Sequence, residues 1–189
     1  SFSIPVEKTE PAAVIKVYPT SDQLPENLLK FYVHFSAPMR HGDIYDHVRI
    51  EHEDGTEVDL PFLEIDQELW SRDGFRLKLL LEPGRIKRGL KPREEMVPIF
   101  ETGKSYRLVI SDTWFDANGK PLAAEHVKSF SVGDVDEEQP NPIRWRFDVP
   151  NGQTKDAVIM TLDEPCDSAL LMRIFQIENQ FGKDYLKSI

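Results

Sequence analysis

Four of the five histidines, His34, His41, His47 and His52, fall within one short part of the chain. Imidazole is the commonest neutral metal ligand, and a zinc site needs three or four donors converging at about 2.0–2.1 Å. No cysteine pair and no His-x-x-x-His spacing accompanies these four. They read as surface or edge histidines, and no metal is expected; a small metalloprotein using them stands as a third-ranked reading. Asp116 and Asn118 alternate in "DANGKPL" as calcium ligands do. The further carboxylates and closing Glu of a calcium loop are missing, so a turn using Asn118-Gly119 is the better account. Glu64, Asp66, Glu68, Glu94 and Glu95 could suggest a paired-acid hydrolase, but the net charge is −10 and acids are abundant everywhere. The lone Cys166 reads as a small buried hydrophobe rather than a reactive thiol. No nucleophile elbow, phosphate loop or dinucleotide fingerprint occurs, so no catalytic residue and no cofactor is assigned.

One segment concentrates positive charge. "PGRIKRGLKPRE" carries Arg85, Lys87, Arg88, Lys91 and Arg93. Read blandly, it is a solvated loop paired with neighbouring acids; read functionally, it is a contact arm for an acidic partner. The acidic remainder of the chain excludes nucleic acid as the main partner, because phosphate binding needs a broad basic face. No apolar run reaches the roughly 20 residues of a membrane span.

The elements that must position these residues read as strands. "LLKFYVHFS" alternates, with Phe31, Val33 and Phe35 facing one way and Tyr32, His34 and Ser36 the other. Pro38 must end that strand or put it at an edge, and Met39 can then fold over the core. "VIKVYP", the segment from His47 to Glu51, "FRLKLLLEP", "KSYRLVIS" and "HVKSFSV" read as further strands. Asp54-Gly55 is a hairpin signal. The fold class is therefore all-β, a two-sheet sandwich over residues 14–132 with Phe31, Val33, Phe35, Leu79, Tyr106, Leu108, Ile110 and Phe130 in its core. Residues 1–13 read as an extended leader and 133–142 as an acidic, proline-bearing linker. The segment 84–103 breaks the alternation, with a helical turn expected near Arg93–Val97. Its apolar residues Ile86, Leu90, Met96, Val97, Ile99 and Phe100 are expected to pack back on the sandwich.

A phrase returns. Pro165 lies 127 positions after Pro38, and at that offset Val33 meets Met160, Phe35 meets Leu162 and Gly55 meets Gly182. Apolar positions staying in phase at a domain-sized period imply a duplicated module. Residues 143–189 then form an incomplete second unit, expected to pack on the first domain, to pair with another chain or to be loosely ordered.

The segments "FYVHFSAPM", "GKSYRLVISDTWFDANGKPL" and "KSFSV" resemble the bacterial Ig-like domains of surface-layer and other exported proteins. The resemblance covers residues 14–132, and the second copy matches only the first half of the pattern. It implies an immunoglobulin-like β-sandwich with a partial second Ig-like unit, exported, with any signal sequence before Ser1 removed. It also implies no enzyme activity, and a role as spacer or interaction unit at the cell envelope. The expected partner is a protein or an anionic glycan of the envelope. An accessory, glycan-binding domain of a larger envelope enzyme is the alternative. The segment 84–103 departs from the family by its length and charge, and marks Arg85, Lys87, Arg88, Lys91 and Arg93 as candidate partner-binding residues.

Overall fold

A computed structural model describes residues 10–65, 67–86, 98–152, 154, 156–163, 166, 171 and 175. The chain divides into two compact units, Ser1–Asp136 and Glu137–Ile189.

In the first unit, β1 (Val14–Tyr18), β3 (Lys30–Phe35), β5 (Leu69–Trp70) and β6 (Arg76–Leu80) form one sheet in the order β1-β3-β6-β5. The other sheet runs β2 (Gln23–Pro25), β8 (His126–Gly133), β7 (Ser105–Ile110), β4 (Val48–His52). Taken in chain order, the first is the A-B-E-D sheet of an immunoglobulin fold and β4-β7-β8 is its C-F-G sheet. β2 joins β8 in parallel at the edge; every other pair is antiparallel. The expected all-β immunoglobulin-like sandwich is therefore the observed one.

Alternation decides which side chains the two sheets enclose. Phe31 and Val33 are fully buried, as are Leu77, Leu108 and Ile110, and Phe35, Leu79, Tyr106 and Phe130 are nearly so. All eight residues expected in the core belong to it, along with Met39 from the loop after β3. Each such side chain contributes about 1.5–3 kcal/mol by leaving water. Ile86, Ile99 and Phe100 also lie in this core, so both described ends of the long β6–β7 connection dock on the sandwich as expected. Leu90, Met96, Val97 and the turn expected near residues 93–97 lie outside the described residues. A short helix, α1 (Pro83–Ile86), opens that connection.

Local differences from the sequence reading have local causes. β2 and β5 are too short to show a period, and so pass for loops. His47 precedes β4 rather than starting it, because it closes a 3-10 turn over Ile44–Asp46. The return from the Asp54-Gly55 turn makes only a Glu51–Glu57 bridge. Ala12 and Ala13 are already built into the fold: Ala12 is fully buried, and Ala13 exchanges hydrogen bonds with Ser36.

The second unit contains β9 (Arg146–Asp148) paired antiparallel with β10 (Ile159–Thr161). Trp145 and Phe147 pack against Phe175 at ring distances of 5.7 and 6.3 Å. β10 falls where the offset of the repeat places the counterpart of Tyr32–His34. Pro165 and Gly182 lie outside the described residues.

Candidate functional site

The basic segment divides at its first member. Arg85 is only 6% exposed, and its guanidinium donates to the carbonyl oxygens of Asp59 and Leu60. It ties α1 to the loop before β5, so its charge is turned inward. Lys87, Arg88, Lys91 and Arg93 lie outside the described residues.

The histidines do not converge. Among the described residues, no group of three or more His, Cys, Asp or Glu side chains is placed to hold a metal ion. His34 sits on β3 beside Tyr18, and His52 packs on Tyr106. His41 stacks on Trp70 at 4.6 Å, and His47 on Trp114 at 5.7 Å. Asp116 makes a turn, not a calcium loop: its Oδ1 accepts the N–H groups of Asn118 and Lys120 at 2.8 and 3.0 Å. Gly119 there has φ +77°, the left-handed region glycine favours.

Those two stacks belong to one end of the sandwich, where the β3–β4, β5–β6 and β7–β8 loops meet. This is the end that carries binding loops in immunoglobulin variable domains. Met39 N–H donates to Gly74, and Arg40 N–H to Phe115. Glu68 fastens the end: its Oε1 accepts the N–H groups of Gly42 and Ile44, and its Oε2 accepts the Trp70 indole N–H at 2.7 Å. Beside it lies an open cavity of about 470 Å³ lined by Asp43, Asp46, Glu64 and Glu68. The loops at this end are thus fastened to one another by Glu68.

The two outer faces of the sandwich differ in charge. On the β4-β7 face, Glu51 bridges two arginines, meeting Arg49 at 2.8 Å and Arg107 at 2.7 Å. Glu57 and Glu125 lie within 3.7 and 3.6 Å of the same Arg49. That face is neutralised by its own carboxylates.

The β1-β3-β6 face carries Lys16, Tyr18, Lys30, Tyr32, His34, Arg76 and Lys78, on the side of each strand opposite the core. None of the three strands contains an acidic residue. The ladder sets Lys16 against His34 and His34 against Arg76, with Tyr18, Tyr32 and Lys78 in the next row. Tyr32 is only 5% exposed yet lies outside the core, because cations cover its ring. The charged heads of Lys30, Arg76 and Lys78 stand 5.6, 5.7 and 5.9 Å from its centroid. Lys16 stands 5.3 Å from the Tyr18 ring. Each contact contributes about 0.5–1 kcal/mol at such exposure and holds a flexible cation against the sheet. Burial first, and Arg76 second, push the His34 imidazole below its ordinary pKa, against an opposing pull from Asp73. Asp73 sits at the rim, where the Ser71 hydroxyl and Phe75 N–H hold its carboxyl below the usual range.

This face was overlooked in the sequence, although its signal was there: cations or tyrosines at alternate positions of "IKVY", "KFYVH" and "RLKL".

The strand order, and Tyr106 at the start of β7 with its hydroxyl bonded back to Glu101, define an immunoglobulin-like sandwich with a tyrosine corner. No family model and no curated protein matches the chain. Solved structures similar to it include an S-layer protein, rSbsC, at 16% identity and a TM-score of 0.42, over 74% of this chain and 15% of that one. Alpha-2-macroglobulin from Escherichia coli, spanning domains MG0-NIE-MG1, is 12% identical with a TM-score of 0.40, over 67% of this chain and 33% of that one. CopC from Methylosinus trichosporium OB3b is 12% identical with a TM-score of 0.42, over 68% of this chain and 99% of that one. The chain therefore spans a minor part of the first two, and no residue role transfers from any of the three. Among the described residues, no helix is long and apolar enough to cross a membrane.

Proposed function

We propose that the chain is a non-catalytic immunoglobulin-like module exported to the bacterial cell envelope, where it serves as an interaction or spacer unit. Its binding surface is the β1-β3-β6 face. The observation that supports this reading is the segregation of charge. A chain of net −10 places no acid in the three strands of one sheet face while pairing the arginines of the other face with carboxylates. Such a patch steers an acidic partner. Lys87, Arg88, Lys91 and Arg93 contribute further contacts to an acidic partner, in the segment that Arg85 anchors. Residues 143–189 act as an incomplete second Ig-like unit. A glycan-binding accessory role beside an envelope enzyme uses the same face.

Two measurements test the reading. The full-length gene product, tagged, should fractionate with the envelope or the medium. Purified protein should be retained by immobilised envelope extract in a salt-sensitive manner. A product confined to the cytosol, or one turning over substrate at an enzymatic rate, overturns it.

A further inference from the structure

The geometry points to a ligand class for the β1-β3-β6 face: a linear acidic polysaccharide bearing regularly spaced carboxylates. This inference rests on the reading of that face as the binding surface.

Three properties of the face select such a ligand. The first is that over β3 and β6 only side chains are on offer. β3 is paired on both sides, by β1 and β6, and β6 likewise by β3 and β5. Their backbone donors and acceptors are spent in the ladders, so an extended peptide cannot add itself beside β3 or β6, and only the outer edge of β1 is open to one.

The second property is spacing. Lys16 and Arg76 lie in one cross-strand row, Lys78 in the next, and Lys30 in a third. Rows on one face of a strand repeat at about 6.5–7 Å, and strands at about 4.8 Å. The result is a short lattice of positive charge that a polymer with one carboxylate per repeating unit can follow.

The third property is preorganisation. Tyr32 gathers Lys30, Arg76 and Lys78 around a single ring. Cations already held against the sheet lose less conformational freedom on binding than lysines free in solvent. Among the described residues, no ion pair joins Lys16, Arg76 or Lys78 to a carboxylate. An incoming carboxylate therefore displaces water and counterions rather than an internal partner. Tyr18, half-buried at the β1 edge, adds a ring on which a sugar face can stack.

The experiment measures binding of the full chain to polygalacturonate, a uronate homopolymer, against neutral dextran, polyglutamate, anionic phosphatidylglycerol vesicles and poly-dT. Two triple variants accompany the wild type. One removes charge from the face, Lys16→Gln, Arg76→Gln and Lys78→Gln. The other removes the same charge elsewhere, Arg40→Gln, Lys104→Gln and Arg144→Gln, from cations that each already face a carboxylate. Circular dichroism and the melting temperature establish that both variants fold. The expected result is polygalacturonate binding that weakens steeply with salt. It should weaken about tenfold or more in the face variant and remain near wild type in the control. Equal weakening in both variants overturns the inference, since bulk charge then suffices. So does binding of polyglutamate, vesicles or poly-dT as tight as that of polygalacturonate. If polygalacturonate is ignored while the face variant alone loses retention on envelope extract, the ligand class falls and the interaction module stands.

Discussion

The phenol oxygen of Tyr106 accepts a hydrogen bond from the backbone N–H of Glu101 at 3.1 Å. Tyr106 is 1% exposed and its ring also meets Phe100 at 5.1 Å and Phe130 at 6.1 Å. One side chain thus joins the end of the long β6–β7 connection to the core it crosses. Tyr106→Phe keeps the ring contacts and strands one N–H. It should cost about 1 kcal/mol, read as a lower urea midpoint with an unchanged slope. A shift of several kcal/mol would mean that the ring, not the hydroxyl, has moved.

Glu68 offers the corresponding test at the loop end. Three N–H groups depend on its carboxylate, from Gly42, Ile44 and Trp70. Glu68→Ala should cost about 2 kcal/mol, the partial exposure of the site limiting the loss. It should also loosen the His41–Trp70 stack, read as a red shift in tryptophan emission. An unshifted spectrum at reduced stability would separate the latch from the stack.

Arg85 is expected to matter for stability and not for binding. Arg85→Ala removes the donor for two carbonyls and the stem that packs beneath them, at a cost of about 2–3 kcal/mol. Retention on envelope extract should persist in whatever fraction stays folded. Loss of retention at unchanged stability would return Arg85 to the binding surface.

Acid should destabilise the free protein. His34 and His126 both have pKa values pushed below the ordinary 6.5, by burial first and then by Arg76 and Lys128 respectively. Between those lowered values and about 6.5 the unfolded chain binds more protons than the folded one, so stability rises with pH in that window. The contribution is complete above about 6.5 and is lost as pH falls below it. Urea midpoints at pH 7.5 and 5.5 should differ in that direction, and by less in His34→Gln and His126→Gln. A midpoint that rises on acidification would contradict the assignment.

Strand content and core were legible because they are written in neighbouring residues. Period-two alternation marks Phe31, Val33 and Phe35 without knowledge of their partners, and Asn118-Gly119 and Asp54-Gly55 announce their turns. β2 and β5 were illegible because segments of three and two residues carry no period. Their strand character comes from the neighbour they join.

Alternation placed Tyr32 on the side opposite Phe31 and Val33 from the sequence alone, and left Lys16 and Lys78 without an assigned face. It could not determine that the three share a surface. Lys78 is distant in sequence from the other two, and "RLKL" read alone is one more half-buried strand. Only the pairing of β3 with β1 and β6 sets those cations in adjacent rows around the Tyr32 ring. The fate of Arg85 was decided in the same way. A cation next to an apolar segment reads as solvated until the chain supplies the carbonyls of residues 59 and 60 to satisfy it indoors. Local pattern sets the direction of a side chain relative to its own strand; what it meets there depends on contacts between residues far apart in the chain, which no short window of sequence contains.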